Sequence, residues 1–322
     1  MKLVIQIPCY NEEETLAKTL AAIPRDIDGI DRVEILVIDD GSRDRTVDVA
    51  RKEGADHILR LKHNHGLAKA FQTGLQKALE LGADVIVNTD GDGQYPGRFI
   101  PDLVRPILEG RADMVIGDRQ VGTVAHFSPL KRQLQKLGSG VVRWLSHTSV
   151  PDATSGFRAL SRDAAMRLHI MSNYTYTLET IIRAGQENLA VASVPISPNP
   201  PTRPSRLFRS MTGYIWRSVA TLVRLFVLFS PLRFFSAIAA LLVTAGTGIG
   251  IRFLYYYFSG QGSGKVQSLL LAAIFVIVGF NVFLIGVLSA NLAANRRLLE
   301  ENLYRLRKLE FSRHPETRAP HD

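Results

Sequence analysis

The 322-residue sequence predicts an α/β domain with a mostly parallel sheet, followed by amphipathic helices and a hairpin of two membrane-spanning helices. Over residues 1–118, short apolar runs alternate with segments of helical periodicity, which is typical of βαβ units and of a sheet covered on both faces. Further along, apolar runs at 234–258 and 266–292 each exceed the roughly 20 residues that a helix needs to cross a bilayer. These observations predict a globular domain attached to a membrane anchor.

The elements of the first domain follow from this alternation. We predict strands at Lys2–Pro8, Val33–Asp39, His57–Leu61, Val85–Thr89 and Asp113–Gly117. We predict helices at Glu13–Ala22, Asp44–Gly54, Leu67–Leu81 and Phe99–Glu109. Because ligands of such sheets bind beyond the carboxyl ends of the strands, the loops after the strands are the expected functional site.

Acidic residues follow three of the predicted strands. They lie in Tyr10-Asn11-Glu12 after the first strand, in Asp39-Asp40 after the second and in Asp90-Gly91-Asp92-Gly93 after the fourth. A carboxylate pair at the end of a buried strand is costly unless a cation or a ligand neutralises it. An alternative for Asp39 and Asp40 is that they cap the following helix, although Asp44 could fill that role.

The turn at Asp90–Gln94 has the composition of a site for a hard cation. Mg²⁺ and Mn²⁺ prefer oxygen ligands and are commonly held by one or two carboxylates together with substrate phosphates. Glycine lets the backbone approach a ligand closely, and Gln94 adds a neutral carbonyl oxygen. The sequence therefore predicts a Mg²⁺ or Mn²⁺ site.

Several other site classes are excluded by their missing motifs. No Gly-x-Gly-x-x-Gly follows the first strand and no Gly-x-x-x-x-Gly-Lys-Ser/Thr occurs anywhere, which argues against a dinucleotide oxidoreductase and a P-loop ATPase. The calcium-loop pattern fails because Tyr95 and Pro101 stand where Gly and Glu are needed. The histidines lack zinc-ligand spacing, and Cys9 is the only cysteine, which suits a reducing cytosol.

The positive charge of the chain is concentrated in its C-terminal part. Residues 198–322 contain 15 Lys and Arg against 5 Asp and Glu, whereas residues 1–197 contain 24 against 25. The basic residues flank the two apolar runs, which favours a membrane surface over nucleic acid as the partner. Only Lys265 lies in the link between the runs, so both termini are predicted to be cytoplasmic in a multi-pass plasma-membrane protein. The alternative is a pair of buried helices in a soluble domain.

The segment before the first apolar run is predicted to lie in the headgroup layer. Arg206, Arg217 and Arg224 fall on one face of a helix over 206–229, whose other faces are apolar, and Pro231 would end that helix. An ordinary surface helix is the alternative. The glycines at 246, 248 and 250 indicate close helix packing and would permit a homo-oligomer. The predicted boundaries are 1–200 for the globular domain, 201–231 for the interfacial helices, 232–295 for the hairpin and 296–322 for a basic tail.

Six motifs occur in one order along the chain. They are PCYNEEE from Pro8, VIDDGSRDRT from Val37, NHGLAKA from Asn64, TDGDGQYP from Thr89, GDR from Gly117 and SGFRALSR from Ser155. Together they resemble family 2 glycosyltransferases of the dolichyl-phosphate mannose synthase type. Bacterial members with two C-terminal spans, which load a sugar onto polyprenyl phosphate, are most similar in layout.

The resemblance implies a GT-A fold, which is Rossmann-like, and an inverting, metal-dependent transfer from a nucleotide sugar to polyprenyl phosphate. It implies that the donor, a UDP- or GDP-sugar, is held by Pro8, Tyr10, Glu12, Asp39, Asp40, Asp90 and Gly91. The metal would be bound by Asp92 and Gln94, with Asp90 near the ribose and the diphosphate.

The resemblance also implies an acceptor side. Arg119 and Arg132 would bind the lipid phosphate, and residues 120–128 would form an acceptor loop. Ser155, Glu179, Arg203 and Arg206 would complete the acceptor or phosphate site. Two alternatives stay open at this point: Arg132 could be a solvated helix charge, and Glu179 could be a structural ion-pair partner.

Two rival functions remain. A processive polysaccharide synthase of the same fold would carry a Gln-x-x-Arg-Trp motif and more spans, and this sequence has neither. A catalytically silent membrane scaffold would have no use for Asp90, Asp92 and Gln94 together.

Overall fold

A computed structural model of the chain describes residues 1–120, 140, 143–144, 146, 148, 150–170, 176–200, 211–260 and 266–312, with side chains placed at all of these except 211–218, 222 and 312. The chain divides into two compact units. One unit comprises residues 1–215 together with 300–322, and the other comprises residues 216–299.

The first unit contains a seven-stranded sheet with the strand order β3-β2-β1-β4-β6-β5-β7. The strands are β1 Lys2–Cys9, β2 Arg32–Asp39, β3 His57–Arg60, β4 Val85–Asn88, β5 Met114–Asp118, β6 Arg158–Ser161 and β7 Val191–Pro195. All neighbouring strands are parallel except β6, which runs antiparallel to both β4 and β5. The central strands β1 and β4 are apolar along almost their whole length because helices cover both of their faces.

Helices α1 to α6 belong to the first unit. They are α1 Leu16–Ala21, α2 Thr46–Lys52, α3 Leu67–Glu80, α4 Ile100–Leu108, α5 Arg162–Arg167 and α6 Tyr176–Gln186. The five predicted strands and four predicted helices are confirmed to within a few residues. Helix α2 begins at Thr46 instead of Asp44 because the carboxylate of Asp44 accepts the backbone N–H of Thr46 at 3.0 Å.

Strand β6 determines where the functional groups meet. Its first residue, Arg158, is paired with Asn88 of β4 and with Ile116 of β5. Because β6 is antiparallel to both neighbours, β4 and β5 point the same way, and their carboxyl ends lie at one edge of the sheet. The loops that follow β1, β2, β4 and β5 therefore open on the same side of the domain.

Three long helices follow β7: α7 Met211–Phe229, α8 Pro231–Phe258 and α9 Val266–Ser312. Helices α8 and α9 are both long and apolar enough to cross a membrane, with mean hydropathies of 1.9 and 2.7 in their most apolar windows. Large apolar side chains such as Leu241, Ile277 and Phe280 are more than half exposed along them. Apolar side chains exposed in this way favour contact with lipid, so the chain is membrane-associated.

In the second unit, α8 and α9 pack as an antiparallel pair through glycines. A side chain at Gly246 would lie 2.9 Å from the carbonyl oxygen of Ala272, and one at Gly286 would lie 2.8 Å from Cβ of Phe235. Of the three glycines predicted to pack closely, Gly246 does so, and a Cβ at Gly250 would be in ordinary contact with Cβ of Ala272 at 3.9 Å. A Cβ at Gly248 would meet no atom within 4 Å.

Replacing Gly246 by leucine is expected to destabilise the helix pair by about 1–3 kcal/mol, because the added side chain would be driven into the backbone of α9. Leucine at Gly248, two residues later on the same helix, is the matched control and should leave stability unchanged. Thermal unfolding of both variants in detergent micelles, followed by circular dichroism, measures the difference. Equal melting temperatures for the two variants would contradict the packing described here.

Candidate active site

Hydrogen bonds to side chains connect the turns after β1 and β2. The backbone N–H of Asn11 donates to Oγ of Ser42 at 2.9 Å, and the backbone N–H of Arg43 donates to Oδ1 of Asn11 at 2.9 Å. Asn11 has a φ of +54°, a conformation that asparagine tolerates better than most residues. Two of the predicted donor-binding segments are therefore held together at the edge of the sheet.

A cleft of about 480 Å³ lies beside these turns. It is lined by Tyr10, Gly41, Ser42, Arg43, Arg60, Leu61, Lys62, His63 and Asn64. Gly41 adopts a φ of +72°, and a side chain there would lie 2.7 Å from the backbone of His63, so glycine is needed for the wall to close. The volume is that of a small-molecule site, and Arg43, Arg60 and Lys62 favour an anionic ligand.

Asp39 and Asp40 have different partners. Asp39 is fully buried, accepts the backbone N–H of Ser42 at 3.0 Å and lies 3.4 Å from Nε of Arg60. Asp40 accepts the backbone N–H groups of His65 and Gly66, both at 2.8 Å, and so fixes the loop before α3. Neither acid accepts the first backbone N–H of α2, that of Thr46, which donates to Asp44 instead. Neither acid lines the cleft, but Asp39 contacts two residues that do, Ser42 and Arg60.

The acidic turn after β4 is packed against α1. Both Thr15 and Thr19 donate their hydroxyl hydrogens to the carbonyl of Gly91, at 2.9 and 3.2 Å, and Thr15 also contacts Glu12 at 2.9 Å. A side chain at Gly91 would lie 2.9 Å from Sγ of Cys9, so the turn can approach β1 only with glycine at this position. Glu12 is thus tied to the acidic turn.

The second half of this turn is closed by local hydrogen bonds. Oδ1 of Asp92 accepts the backbone N–H of Gln94 at 3.0 Å, across Gly93 with its φ of +72°. Asn199 bonds the same turn twice, donating its backbone N–H to the carbonyl of Gln94 and its side-chain amide to that of Gly93, each at 2.9 Å. The carboxylates of Asp90 and Asp92 are therefore held on a braced turn.

Asp90 has the properties of a carboxylate in a cation-binding site. Burial, followed by the nearby charge of Asp92, raises the pKa of Asp90 to about 7. Its Oδ1 is buried and has no hydrogen-bond partner in the described part of the chain. A divalent ion would stabilise the charged form of Asp90 and would give its buried Oδ1 a partner. The residues therefore fit Mg²⁺ or Mn²⁺. Among the described residues, no cluster of three His, Cys, Asp or Glu side chains could hold a metal ion.

Arg119, which follows β5, is held by an acid that the sequence analysis did not single out. Its Nε and Nη2 donate to the two carboxylate oxygens of Asp152 at 2.7 and 3.0 Å, and Nη2 also donates to the hydroxyl of Thr154 at 2.7 Å. Asp152 is buried, and the Arg119 guanidinium holds its pKa below the usual range against the effect of burial. The remaining nitrogen, Nη1, has no hydrogen bond to the described residues and can take a ligand.

Arg158 organises the segment that carries Asp152. Its guanidinium is fully buried and donates to the carbonyls of Ser155 and Ala153, at 2.8 and 3.1 Å, and to the hydroxyl of Thr180. Burial lowers the pKa of Arg158 to about 10. Both carboxylate oxygens of Asp90 lie 3.2–3.3 Å from where a side chain of Gly156 would begin, so only glycine fits beside that acid.

The remaining predicted acceptor residues are distributed differently. Ser155 is fully buried in this segment, next to the Gly156 that touches Asp90. Glu179 is buried on α6 and accepts from Nε of Arg183 at 3.1 Å, which agrees with its interpretation as an ion-pair partner. Arg132, Arg203, Arg206 and the loop at 121–128 lie outside the described residues.

The fold and the residues at the carboxyl edge of the sheet define the class of protein. A mostly parallel sheet with a braced acidic turn at the carboxyl end of β4 is a GT-A glycosyltransferase architecture, and the chain is a glycosyltransferase. The chain belongs to glycosyl transferase family 2, whose family model matches residues 4–168.

The chain is similar to several named relatives. It is 29% identical over 207 residues to an undecaprenyl-phosphate mannosyltransferase of Micrococcus luteus, covering 61% of this chain and 83% of the relative. It is 32% identical over 196 residues to a dolichyl-phosphate hexose transferase of Haloferax volcanii, covering 60% and 81%. Among solved structures, glucosyl-3-phosphoglycerate synthase of Mycobacterium tuberculosis, in complex with Mn²⁺, UDP and glucosyl-3-phosphoglycerate, matches with a TM-score of 0.54 and 22% identity, covering 69% of this chain and 79% of that one. That similarity shows the fold.

Proposed function

We propose that this glycosyltransferase transfers a sugar from a UDP- or GDP-sugar to polyprenyl phosphate, with inversion at the anomeric carbon. The observation that carries the proposal is that the acidic turn and Arg119 lie at one edge of the sheet, close enough for the charges of Asp90 and Arg119 to interact. Transfer between two phosphates needs such adjacent sites, one for the diphosphate of the donor and one for the attacking phosphate.

The acceptor class is supported by the relatives and by the membrane helices. Two relatives bear names that specify undecaprenyl phosphate and dolichyl phosphate as acceptors. This chain adds α8 and α9, which are long and apolar enough to reach a lipid substrate within a bilayer. The basic residues on either side of the apolar runs, against a single lysine in the link, favour a cytoplasmic active site in the plasma membrane.

On the donor side, the cleft beside Tyr10 and Asp39 would receive the nucleoside, with Pro8 and Glu12 supporting it. Asp90, Asp92 and Gln94 would hold Mg²⁺ or Mn²⁺, and the backbone at Gly91 would allow the diphosphate to approach. When bound, the ion neutralises charge on the leaving diphosphate. The structure of the mycobacterial synthase with Mn²⁺ and UDP makes such a metal reasonable for this fold.

On the acceptor side, Arg119 would bind the lipid phosphate with its Nη1 edge, and Arg132 would assist. A phosphate monoester has a second pKa of about 6 and is largely dianionic at pH 7, so no side chain has to remove a proton. One phosphate oxygen attacks the anomeric carbon and forms a new C–O bond. The bond from that carbon to the diphosphate breaks, and the nucleoside diphosphate leaves with the electron pair.

The proposal predicts that the purified chain, given a panel of UDP- and GDP-sugars, Mg²⁺ or Mn²⁺ and undecaprenyl phosphate, forms a polyprenyl phosphate carrying one sugar. Mass spectrometry of the lipid extract measures the product, and undecaprenol without its phosphate serves as the inactive control acceptor. A long polymer would instead identify a processive synthase. If no donor gives any product, the proposal is rejected, and a catalytically silent membrane scaffold is the remaining interpretation.

A further inference from the structure

The end of α9, Glu300–Ser312, is part of the first compact unit, although the sequence analysis assigned it only to a basic tail. Four of its residues, Glu300, Tyr304, Arg307 and Phe311, are spaced by four, three and four positions. This spacing places them on one face of the helix. All four contact the domain that carries the active site.

Three of the four residues bind α5 and its ends. The hydroxyl of Tyr304 donates to Asp163 at 2.6 Å, while the guanidinium of Arg167 lies 4.1 Å from the centre of the Tyr304 ring. Nη1 of Arg307 donates to the carbonyls of Met166 and Leu168, at 3.0 and 3.3 Å, where the last carbonyls of α5 have no helical partner. At the other end, Arg162 lies over the ring of Phe311 at 5.9 Å.

Glu300 binds α6 through a buried arginine. Nη1 of Arg183 lies 2.8 Å from Oε1 of Glu300, while Nε of the same arginine donates to Glu179 at 3.1 Å. Arg183 is 4% exposed and Glu179 is 1% exposed. A buried charge cluster of this kind adds little to stability compared with apolar packing, and its best-attested role is to fix one arrangement of helices.

Helix α6 in turn contacts the end of β4, which leads into the acidic turn, and Arg158, which holds the segment that carries Asp152. Tyr176 accepts a hydrogen bond from Asn88, at the end of β4, at 3.2 Å, and Thr180 accepts one from Arg158. Arg158 holds the carbonyls of Ala153 and Ser155, in the segment whose Asp152 binds Arg119. A continuous series of described contacts therefore leads from Glu300 to the guanidinium of Arg119.

We propose that the end of α9 positions the acceptor half of the active site through α6, and that Glu300 is a positioning residue for transfer to the lipid phosphate. The inference rests on the proposed function, because that function assigns the lipid phosphate to Arg119. Among the described contacts, Glu300 is connected to Arg119 through α6, Arg158 and the carbonyls of Ala153 and Ser155. The acidic turn on the donor side also has contacts of its own, with Thr15, Thr19 and Asn199. Loss of the Glu300 contact should thus affect the two substrates unequally.

Glu300→Gln is the test, and Glu301→Gln is its matched control. Glu301 is adjacent in sequence but 42% exposed, and its ion pair with Arg305 lies on the helix surface. For Glu300→Gln we expect the KM for polyprenyl phosphate to rise by about three- to thirtyfold, with the KM for the nucleotide sugar changed by less than about twofold. Glu301→Gln should match the parent chain in both constants.

Hydrogen–deuterium exchange without substrates provides a second readout. Amides of α6 and of residues 152–157 should exchange faster in Glu300→Gln than in Glu301→Gln, whichever lipid or sugar the enzyme uses. If Glu300→Gln does not fold, Arg307→Gln is compared with Arg305→Gln, since Arg305 is 71% exposed and Arg307 holds the end of α5.

The outcomes separate the inference from the function on which it rests. If the parent chain glycosylates no lipid phosphate, the proposed function fails, while the exchange comparison still tests the link between Glu300 and α6. Equal exchange in the two variants, or equal increases in both KM values for Glu300→Gln, would overturn the positioning role. A rise confined to the acceptor KM, accompanied by faster exchange of α6, supports it.

Discussion

Replacing Asp92 by alanine is expected to reduce kcat/KM for sugar transfer by at least about 100-fold, because the acidic turn loses one of its two carboxylates at the point where the diphosphate must be neutralised. The fold should persist, since Asp92 is partly exposed and its carboxylate accepts a hydrogen bond within the turn, from the backbone N–H of Gln94. Initial rates at saturating Mg²⁺ or Mn²⁺, with Mn²⁺ binding measured by calorimetry, test both consequences together.

Asp92→Asn and Asp102→Ala are the companion variants. Asparagine keeps an acceptor for the N–H of Gln94 but removes the charge, so it should lose metal affinity while the turn stays closed. Asp102 is an exposed acid of α4 that pairs only with Arg105 among the described residues, and its removal should leave transfer unchanged. Full turnover by Asp92→Ala with saturating metal would rule out the metal assignment.

The placement of the loops that we propose bind the donor could be predicted from the sequence because its signals are local. Each acidic cluster directly follows an apolar run that predicts a strand. Parallel strands bring their carboxyl ends to one edge of the sheet. The positions of Tyr10, Asp39 and Asp90 follow from those two facts. The difference between Asp39 and Asp40 could not be predicted, since it depends on which of the two faces the backbone of His65 and Gly66.

The acceptor half and the end of α9 depend on contacts between distant residues. Strand β6 is short, and nothing in its own sequence indicates that it inserts antiparallel between β4 and β5. The pairing of Arg119 with Asp152 follows from that insertion. Similarly, the positive charge of 296–322 indicates a solvated segment, and charge alone cannot distinguish exposed Arg305 from Arg307, which binds the end of α5.

Replacing Arg119 by alanine is expected to reduce kcat/KM for the lipid phosphate by about 10- to 100-fold, the effect of one lost charge-assisted hydrogen bond of roughly 1.5–3 kcal/mol. Affinity for the nucleotide sugar should change little, because that ligand is assigned to the opposite side of the acidic turn. Radiolabel transfer at varied lipid concentration, with calorimetry for the donor, measures the two effects separately.

A structural effect has to be separated from this loss, because removing Arg119 leaves the carboxylate of Asp152 buried without its guanidinium partner. The double variant Arg119→Ala with Asp152→Asn removes that buried charge and should regain most of the lost thermal stability. If it also regains use of the lipid phosphate, Arg119 acts only by neutralising Asp152, and the acceptor role is wrong. If stability returns while the acceptor KM stays high, the Nη1 edge of Arg119 is what binds the phosphate.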